Sequence, residues 1–336
     1  MDVPCISVIV PTYNRCGMLA NAMESLLRQD TAGQFTYEVI VVDNASTDAT
    51  EDTVKRLAVD APVPVRYCYE SVPGPAPARN CGVSQAAGEW LAFFDDDEIA
   101  APEWLLELFR AAITSEALII GGRMALDLSP EILKGLNHFV RCTSLREIDY
   151  YPTVQPYTGR RLPGTNNALV AREVFSAIGS FDASIVAGGS DSDFFLRAQA
   201  AGMTLYYTPH AVVKHRVEPN RLTKEYFRWD AQQGCSAFAA LDYEHKGSAM
   251  LLGRCAARLG HALLILLPRL MWARMRRDEA EVLGQRVRLW RTEGYVRKTA
   301  ALLVPVWCAQ TRYFATLEFR RGRVVGKDVA AVEVMS

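Results

Sequence analysis

Short apolar runs of strand length alternate with segments of helical spacing through the first 120 residues. Residues 6–10 (ISVIV) form an apolar run ended by Pro11. Leu19, Ala22, Met23, Leu26 and Leu27 then recur at helical spacing between residues 18 and 29. Residues 37–42 (YEVIVV), 65–69, 90–94 (WLAFF) and 117–120 read as further strands. The segments 50–59, 78–87 and 102–112 read as helices, the first preceded by Ser46, Thr47 and Asp48 at capping positions and the last opened by Pro102. Strands alternating with helices predict an α/β fold, a mostly parallel sheet with helices on both faces.

In open sheets of this kind ligands bind beyond the carboxyl ends of the strands. Three polar clusters fall at such ends: Pro11, Thr12, Tyr13, Asn14 and Arg15 after the first strand, Asp43 to Asp48 after the second, and Asp95, Asp96, Asp97 and Glu98 after the fourth. Four acids in a row repel one another, and a hard cation with oxygen ligands relieves that repulsion; an acidic helix start ahead of Pro102 is the other reading. Asp43 is the lone acid ending an apolar strand, placed to accept hydrogen bonds from a ribose or base edge, or else a turn residue. Arg79 and Asn80 follow the turn-rich Pro73-Gly74-Pro75-Ala76-Pro77, where a helix start suits a diphosphate; a plain connection with a surface arginine is the alternative. Asp191 and Asp193, beside Gly188 and Gly189 and ahead of a helix over 194–201, read as a general base preset in a loop or as helix caps. His215 reads as a ligand or as a structural histidine.

Charge divides the chain. The net charge of −1 speaks against nucleic-acid binding. Residues 1–250 carry 21 Lys and Arg against 31 Asp and Glu, whereas residues 251–330 carry 16 against 6. An acidic body is thus joined to a basic tail, which suggests an anionic partner. The uncharged stretches 259–268 and 299–311 are each too short to span a bilayer, and arginines at 254, 258, 269, 274, 276 and 277 flank or interrupt the first. That pattern suits an amphipathic helix at an anionic membrane surface, or a helical cap with a solvated basic face. The eight cysteines include no C-x-x-C pair, so neither a usual zinc spacing nor a disulfide framework is expected. No secretory signal is expected at the N-terminus, where a strand-like run begins at Ile6.

Taken in order, the motifs Val8-Ile9-Val10-Pro11-Thr12-Tyr13-Asn14-Arg15, Val41-Val42-Asp43-Asn44-Ala45-Ser46-Thr47-Asp48, Ala78-Arg79-Asn80-Cys81-Gly82, Phe93-Phe94-Asp95-Asp96-Asp97, Gly164-Thr165-Asn166-Asn167-Ala168 and Ser190-Asp191-Ser192-Asp193-Phe194-Phe195-Leu196-Arg197 resemble glycosyltransferase family 2, the inverting nucleotide-sugar transferases of GT-A fold. The resemblance spans about residues 4–230. It implies a GT-A domain over 1–230, with a nucleotide-sugar half near 1–120 and an acceptor half near 121–230, followed by a basic, mostly helical extension over 231–336. It further implies that Asp43 binds the nucleoside, with Pro11, Thr12 and Asn14 near base and ribose. Arg15, Arg79, Asp96 and Asn166 are implied to line the donor site. Asp95 and Asp97 match the outer acids of a D-x-D motif, Asp95 facing ribose or sugar and Asp97 ligating Mg²⁺ or Mn²⁺. His215 fits a position supporting the metal or diphosphate. Asp191 matches the catalytic base; the glutamate that usually precedes it is Ser190 here, so Asp193 stays an alternative. The implied partners are a nucleotide-diphosphate sugar, a UDP-sugar favoured, and a glycan or lipid-linked acceptor. A cytoplasmic enzyme is expected, peripheral on the inner face of the cell membrane if the tail binds lipid. A nucleotidyltransferase would want a Gly-rich basic loop after the first strand, and a catalytically inactive sugar-nucleotide-binding module would have no use for Asp97 and Asp191.

Overall fold

The computed structural model describes residues 3–185 and 189–304, which fall into two compact units: Met1–Asp127 with Glu147–Arg216, and Leu128–Arg146 with the chain from Val217 onward. In chain order the first unit opens with β1 (Cys5–Thr12), α1 (Cys16–Leu26), β2 (Thr36–Asp43), α2 (Thr50–Val59), β3 (Val65–Tyr69), α3 (Pro75–Gln85) and β4 (Trp90–Phe94). There follow β5 (Glu98–Ala100), α4 (Trp104–Ser115) and β6 (Ile119–Leu126). The chain then enters the second unit for α5 (Pro130–Lys134) and α6 (His138–Ser144). It returns for β7 (Gln155–Pro156), β8 (Asn167–Ala171), α7 (Arg172–Ile178), α8 (Ser190–Ala200) and β9 (Leu205–His215).

Among the described residues the nine strands form one sheet in the order β3-β2-β1-β4-β8-β6-β9-β5, with β7 beside β9. The four strands read from the first hundred residues are all parallel. Beyond them the sheet is mixed, because β8 runs antiparallel between β4 and β6. Successive strand residues point to opposite faces. Val8, Val10, Val39, Val41 and Phe94 accordingly pack on one face with α1 and Trp104 and Leu108 of α4. Ile9, Ile40, Val42, Leu91 and Phe93 pack on the other with Ala76 and Ala78 of α3, Val174 of α7, and Phe194 and Phe195 of α8. A sheet buried on both faces explains why these runs are apolar throughout rather than alternating.

Several boundaries differ from the sequence reading for local reasons. α3 starts at Pro75, not at residue 78, because proline is tolerated in a first helical turn and Gly74 at φ 136 makes the entry. Residues 98–100, immediately after the acids, are a strand; β5 pairs with the end of β9 instead of opening a helix. The strand expected over 117–120 runs over Ile119–Leu126. The helix expected over 194–201 begins at Ser190, so Asp191 and Asp193 lie in its first turn and not in a preceding loop.

The second unit is helical. α9 (Lys224–His261) breaks helical geometry at Gly247, where φ is 74, and continues through a π-turn (Ala262–Leu266) into α10 (Leu267–Met275). The wide turn answers Pro268, which lacks an N–H and would crowd the carbonyl four residues back; Leu267 donates to the Ala262 carbonyl across the longer ring. α11 (Glu279–Leu303) starts on Asp278, whose carboxylate accepts from Glu281 N at 3.0 Å. Tyr295 of α11 is fully buried among Cys235, Ala239, Leu251 and Cys255 of α9, and its hydroxyl donates to Asp242 Oδ2 at 2.7 Å. Residues past 250 therefore share a core with residues before it. Residues 305–336, including the end of the 299–311 stretch and Cys308, lie outside the described residues.

α9 and α11 meet so closely that a Cβ on Gly294 would fall onto the backbone of Gln232. Gly294→Ala should lower stability by about 1–3 kcal/mol through overpacking. Gly253, on the same unit with nothing near its Cβ position, should gain about 0.5–1 kcal/mol as alanine from helix propensity. Urea unfolding of both variants checks the pair, and equal midpoints would contradict the close α9–α11 approach.

Candidate functional site

The carboxyl ends of β1, β2 and β4 lie side by side, since Thr12 is in register with Asp43 and Ile9 with Phe93. The loops that leave them are tied together by short polar side chains. Asp43, 3% exposed, accepts from Ser46 N at 2.8 Å through Oδ1 and from the Tyr67 hydroxyl at 2.8 Å through Oδ2. Asn14, at φ 52, donates its N–H to Ser46 Oγ and accepts from Thr47 N through Oδ1. Asp48 caps the start of α2 one residue early, on Thr50 N, and also accepts from Cys16 N at 3.0 Å. Asn44 reaches the carbonyls of Glu70 and Val72 and accepts from Gly74 N, which fixes the entry to α3. Pro11, in register with Val42, removes one donor from the strand end.

The acids after β4 form a second network. Thr12 Oγ1 donates to Asp96 Oδ2 at 2.7 Å, and Arg15 Nη1 bridges Asp96 Oδ1 at 3.0 Å and Asp97 Oδ2 at 3.1 Å. His215 Nδ1 lies 3.7 Å from Asp97 Oδ1. The pairing of β5 with β9 sets that distance by placing His215 opposite Glu98. Arg79 Nη2 stands 3.6 Å from Asp95 Oδ1, with its guanidinium 5.9 Å from the centre of the Phe181 ring and its Nε buried without a partner. Asn166 Nδ2 donates to Glu98 Oε1 at 2.6 Å, whereas Glu98 Oε2 is buried with no partner.

Crowding shows in the protonation of these groups. Burial, then the Asp95 and Asp97 charges, push the Glu98 carboxyl well above the usual carboxylate range, against the Asn166 hydrogen bond. Asp95 is pushed up to about 6 by desolvation, with Arg79 opposing and Asp97 and Asp96 adding to the rise. Its side chain is packed round by protein yet 38% of it still reaches solvent, so an arriving cationic group can meet it. Asp96 rises for the same first reason, with Arg15 and Thr12 opposing.

α8 carries the remaining candidates. Asp191, half-buried, accepts only from Ser192 N, at 2.8 Å, and among the described residues forms no ion pair. Asp193 instead pairs with Arg197 one turn on, at 2.9 Å, and Arg197 also binds the carbonyls of Ile178 and Ser180. Asp193 is thus engaged in holding α8 to the end of α7. Phe194 stacks on Phe181 at 4.5 Å, and Phe181 lies beside both Phe93 and Arg79, so α8 reaches the acid network through one shared ring. Gly188, just before the helix, lies outside the described residues.

Thr12, Arg15, Arg79, Asp95, Asp96, Asp97, Asn166 and His215 are therefore brought together with Glu98, while Asp43 and Asn14 sit in the adjoining loop network. Tyr67 and Phe181 were not singled out from sequence, and Glu98 was read only as the last of four acids in a row. Only the register of β3 on β2 brings Tyr67 to Asp43.

Comparison with known proteins identifies the family and the fold. The family described as "Glycosyl transferase family 2" matches residues 7–179. The succinoglycan biosynthesis protein ExoM of Rhizobium meliloti is 31% identical over 232 residues, 66% of this chain and 72% of its own length. Glycosyltransferase AglE of Haloferax volcanii is 26% identical over 227 residues, 67% of this chain and 72% of its own. Among solved structures, the mannosyltransferase PcManGT of Pyrobaculum calidifontis, described in complex with GDP-Man and Mn²⁺, superposes with a TM-score of 0.56 at 21% identity, over 91% of this chain and 89% of that one. S. aureus TarS 1-349 superposes with a TM-score of 0.50 at 17% identity, over 89% and 91%. By its family match and its likeness to ExoM, the chain belongs to glycosyl transferase family 2, and it is a glycosyltransferase with the GT-A fold.

Proposed function

We propose that the chain transfers a sugar from a nucleotide-diphosphate donor to an acceptor hydroxyl, with inversion and with a divalent cation, Mg²⁺ or Mn²⁺. The observation that carries this reading is the acid network after β4, in which two arginines and a histidine meet four carboxyl groups and Glu98 Oε2 is still left without a partner. A hard cation fits that donor set: Asp97 offers Oδ1, the oxygen that Arg15 does not hold, and His215 offers a ring nitrogen, with diphosphate oxygens and water completing the sphere. When bound, the ion supplies positive charge where negative charge develops on the leaving diphosphate. The Mn²⁺ and GDP-Man of PcManGT support the same assignment.

The chain's own residues account for the rest. Asp43 keeps a second lone pair on each oxygen for a ribose or base donor, and Tyr67 and the Ser46 amide hold the carboxylate in place for it. Pro11, Thr12 and Asn14 border that position. Arg79, half sheltered by Phe181, faces the diphosphate, and Asp95, Asp96 and Asn166 border the sugar. Asp191, with no competing cation, takes the proton of the acceptor hydroxyl as its oxygen bonds to the anomeric carbon. The bond from that carbon to the diphosphate oxygen breaks on the opposite face, so one displacement inverts the centre through an oxocarbenium-like state.

The acceptor is a growing glycan or lipid-linked glycan of cell-surface polysaccharide or glycolipid synthesis, as the name of ExoM suggests. The helical unit suits that setting. By length and composition Lys246–Met275 is apolar enough to cross a membrane, although its uncharged core alone is not, because the apolar stretch continues past interrupting arginines. Spanning would bury Arg258 and Arg269 in hydrocarbon, whereas lying in the interface lets both reach phosphates. Leu259, Leu263, Leu267, Met271 and Met275 recur every fourth residue and are all exposed, and Leu264 beside them is 76% exposed. Charge complementarity with this arginine-rich segment selects an anionic leaflet as the surface that covers the stripe, and peripheral placement at the cytoplasmic face of the cell membrane follows.

Asp97→Ala should lower transfer by about 10²-fold or more without lowering the melting temperature, since one of several repelling carboxylates is removed. EDTA on the wild type should do the same, and full activity in chelator would overturn the cation assignment. Asp191→Asn should cut turnover by about 10²–10⁴-fold with donor affinity nearly unchanged. Asp193→Asn should cost stability of up to about 1 kcal/mol through Arg197 and leave turnover within a few-fold; a larger loss of turnover in Asp193→Asn moves the base to that residue. The full chain should co-sediment with phosphatidylglycerol vesicles, less so but still measurably in high salt. The Leu263→Gln/Leu264→Gln/Met271→Gln variant should lose the salt-resistant part, and equal sedimentation of the two chains would sink the membrane reading.

A further inference from the structure

The helical unit holds a cavity that glycosyl transfer does not use. Its volume is about 330 Å³, within the size range of ligand pockets, and it is lined by Phe139 of α6, Arg258, His261 and Leu266 of the continuous helix, and Arg288 and Arg291 of α11. Three guanidinium groups thus surround one space. Among the described residues none of the three has a carboxylate within ion-pair distance. Arg258 lies over the Tyr295 ring at 4.4 Å and Arg288 over the Phe139 ring at 3.6 Å. Arg288 Nε is buried with no hydrogen-bond partner. The acid whose charge acts on Arg288, Glu281, is itself engaged by Asn137 Nδ2 at 2.9 Å and Gln285 Nε2 at 2.6 Å, and Arg291 shares the Asp230 charge with other arginines. Burial disfavours the Arg288 cation first of all; the Glu281 charge opposes it, and the smaller Arg269 and Arg291 charges add to it.

Three guanidinium groups about one cavity, none in ion-pair contact with a carboxylate, favour a bound anion, and planar guanidinium groups match phosphate oxygens best of all. The remaining walls narrow the choice of anion. Phe139 and Leu266 make part of the lining apolar, and Leu263 and Leu264, 63% and 76% exposed, lie on the same helix within a turn of His261. A ligand with a phosphate at one end and hydrocarbon at the other meets both features.

We propose that this cavity binds the phosphate head of a membrane lipid, with Arg258, Arg288 and Arg291 as its ligands and the hydrocarbon chain leaving along the exposed leucines. The site rests on the membrane reading above, but adds to surface attraction a specific, saturable position for one lipid. It fixes how the helical unit is oriented on the leaflet, since the arginines must reach the phosphate plane while the stripe enters the hydrocarbon.

The test uses the full chain and dihexanoyl phosphatidic acid below its micellar concentration, a probe that carries the head group without a bilayer. Saturable binding by calorimetry is expected, weakened about tenfold or more in Arg288→Gln/Arg291→Gln, which is about 1.4 kcal/mol. Arg274→Gln/Arg276→Gln, which removes as much charge outside the cavity, should bind as wild type. Arg291→Lys, which keeps the charge, should retain most of the affinity and guards against a folding defect. Absence of saturable binding, or equal loss in the Arg274/Arg276 control, overturns the site. Inorganic phosphate binding as tightly as the lipid overturns its lipid half. The two readings fail separately: vesicle binding without short-chain lipid binding removes the cavity site alone, whereas the reverse result keeps the site and removes the bilayer stripe.

Discussion

Repulsion among the carboxyl groups that follow β4 is the constraint around which the catalytic unit is built. Asp95, Asp96, Asp97 and Glu98 are consecutive, and at least two of them are buried, so charge must be matched or removed within a few ångströms. Each neighbouring element contributes one answer. The β1 end brings Thr12 and Arg15, α3 brings Arg79, the turn before β8 brings Asn166, and β9 brings His215. For Glu98, burial and the Asp95 and Asp97 charges raise the carboxyl pKa and so disfavour the charged form. The sheet order makes this possible, because β4 is central and parallel strands deliver their carboxyl ends to one edge.

That arrangement sorts what could be read from sequence from what could not. Parallel strands buried on both faces are continuous apolar runs, so β1, β2 and β4 were legible as such, the edge strand β3 by its place between two helical segments, and the polar residues at their ends followed directly. What fails to print is pairing. Nothing in Glu98-Ile99-Ala100 distinguishes a helix entry from a three-residue strand until β9 lies beside it, and that pairing alone brings His215 to Asp97. Asp191 and Asp193 were separable only by partner: two acids two residues apart look alike in sequence, and Arg197, one turn beyond Asp193, makes them different.

The helical unit was read as a tail beginning near residue 231, yet its compact unit also includes residues 128–146. Local periodicity cannot signal such an excursion. α5 and α6 span five and seven residues, too short to show an amphipathic period, and their membership rests on contacts such as Asn137 with Glu281, 144 residues apart. The same excursion supplies Phe139, without which the arginine-lined cavity would lack its aromatic wall.

Charge is handled differently in the two units. Carboxylates in the first unit are matched by a few well-placed cations, whereas in the second the arginines outnumber the acids near them. A cation over an aromatic face, as with Arg258 on Tyr295 and Arg288 on Phe139, is held in place but not neutralised. Such groups are stabilised further by whatever anion reaches them. In a unit that also exposes Leu263, Leu264, Met271 and Trp272, the anion that costs least to bring is one already attached to hydrocarbon, because burial of the stripe and capture of the phosphate then occur in a single event. Apolar contact and charge pairing respond oppositely to salt, so under the proposed membrane reading the balance between them would set the residence time at a lipid surface.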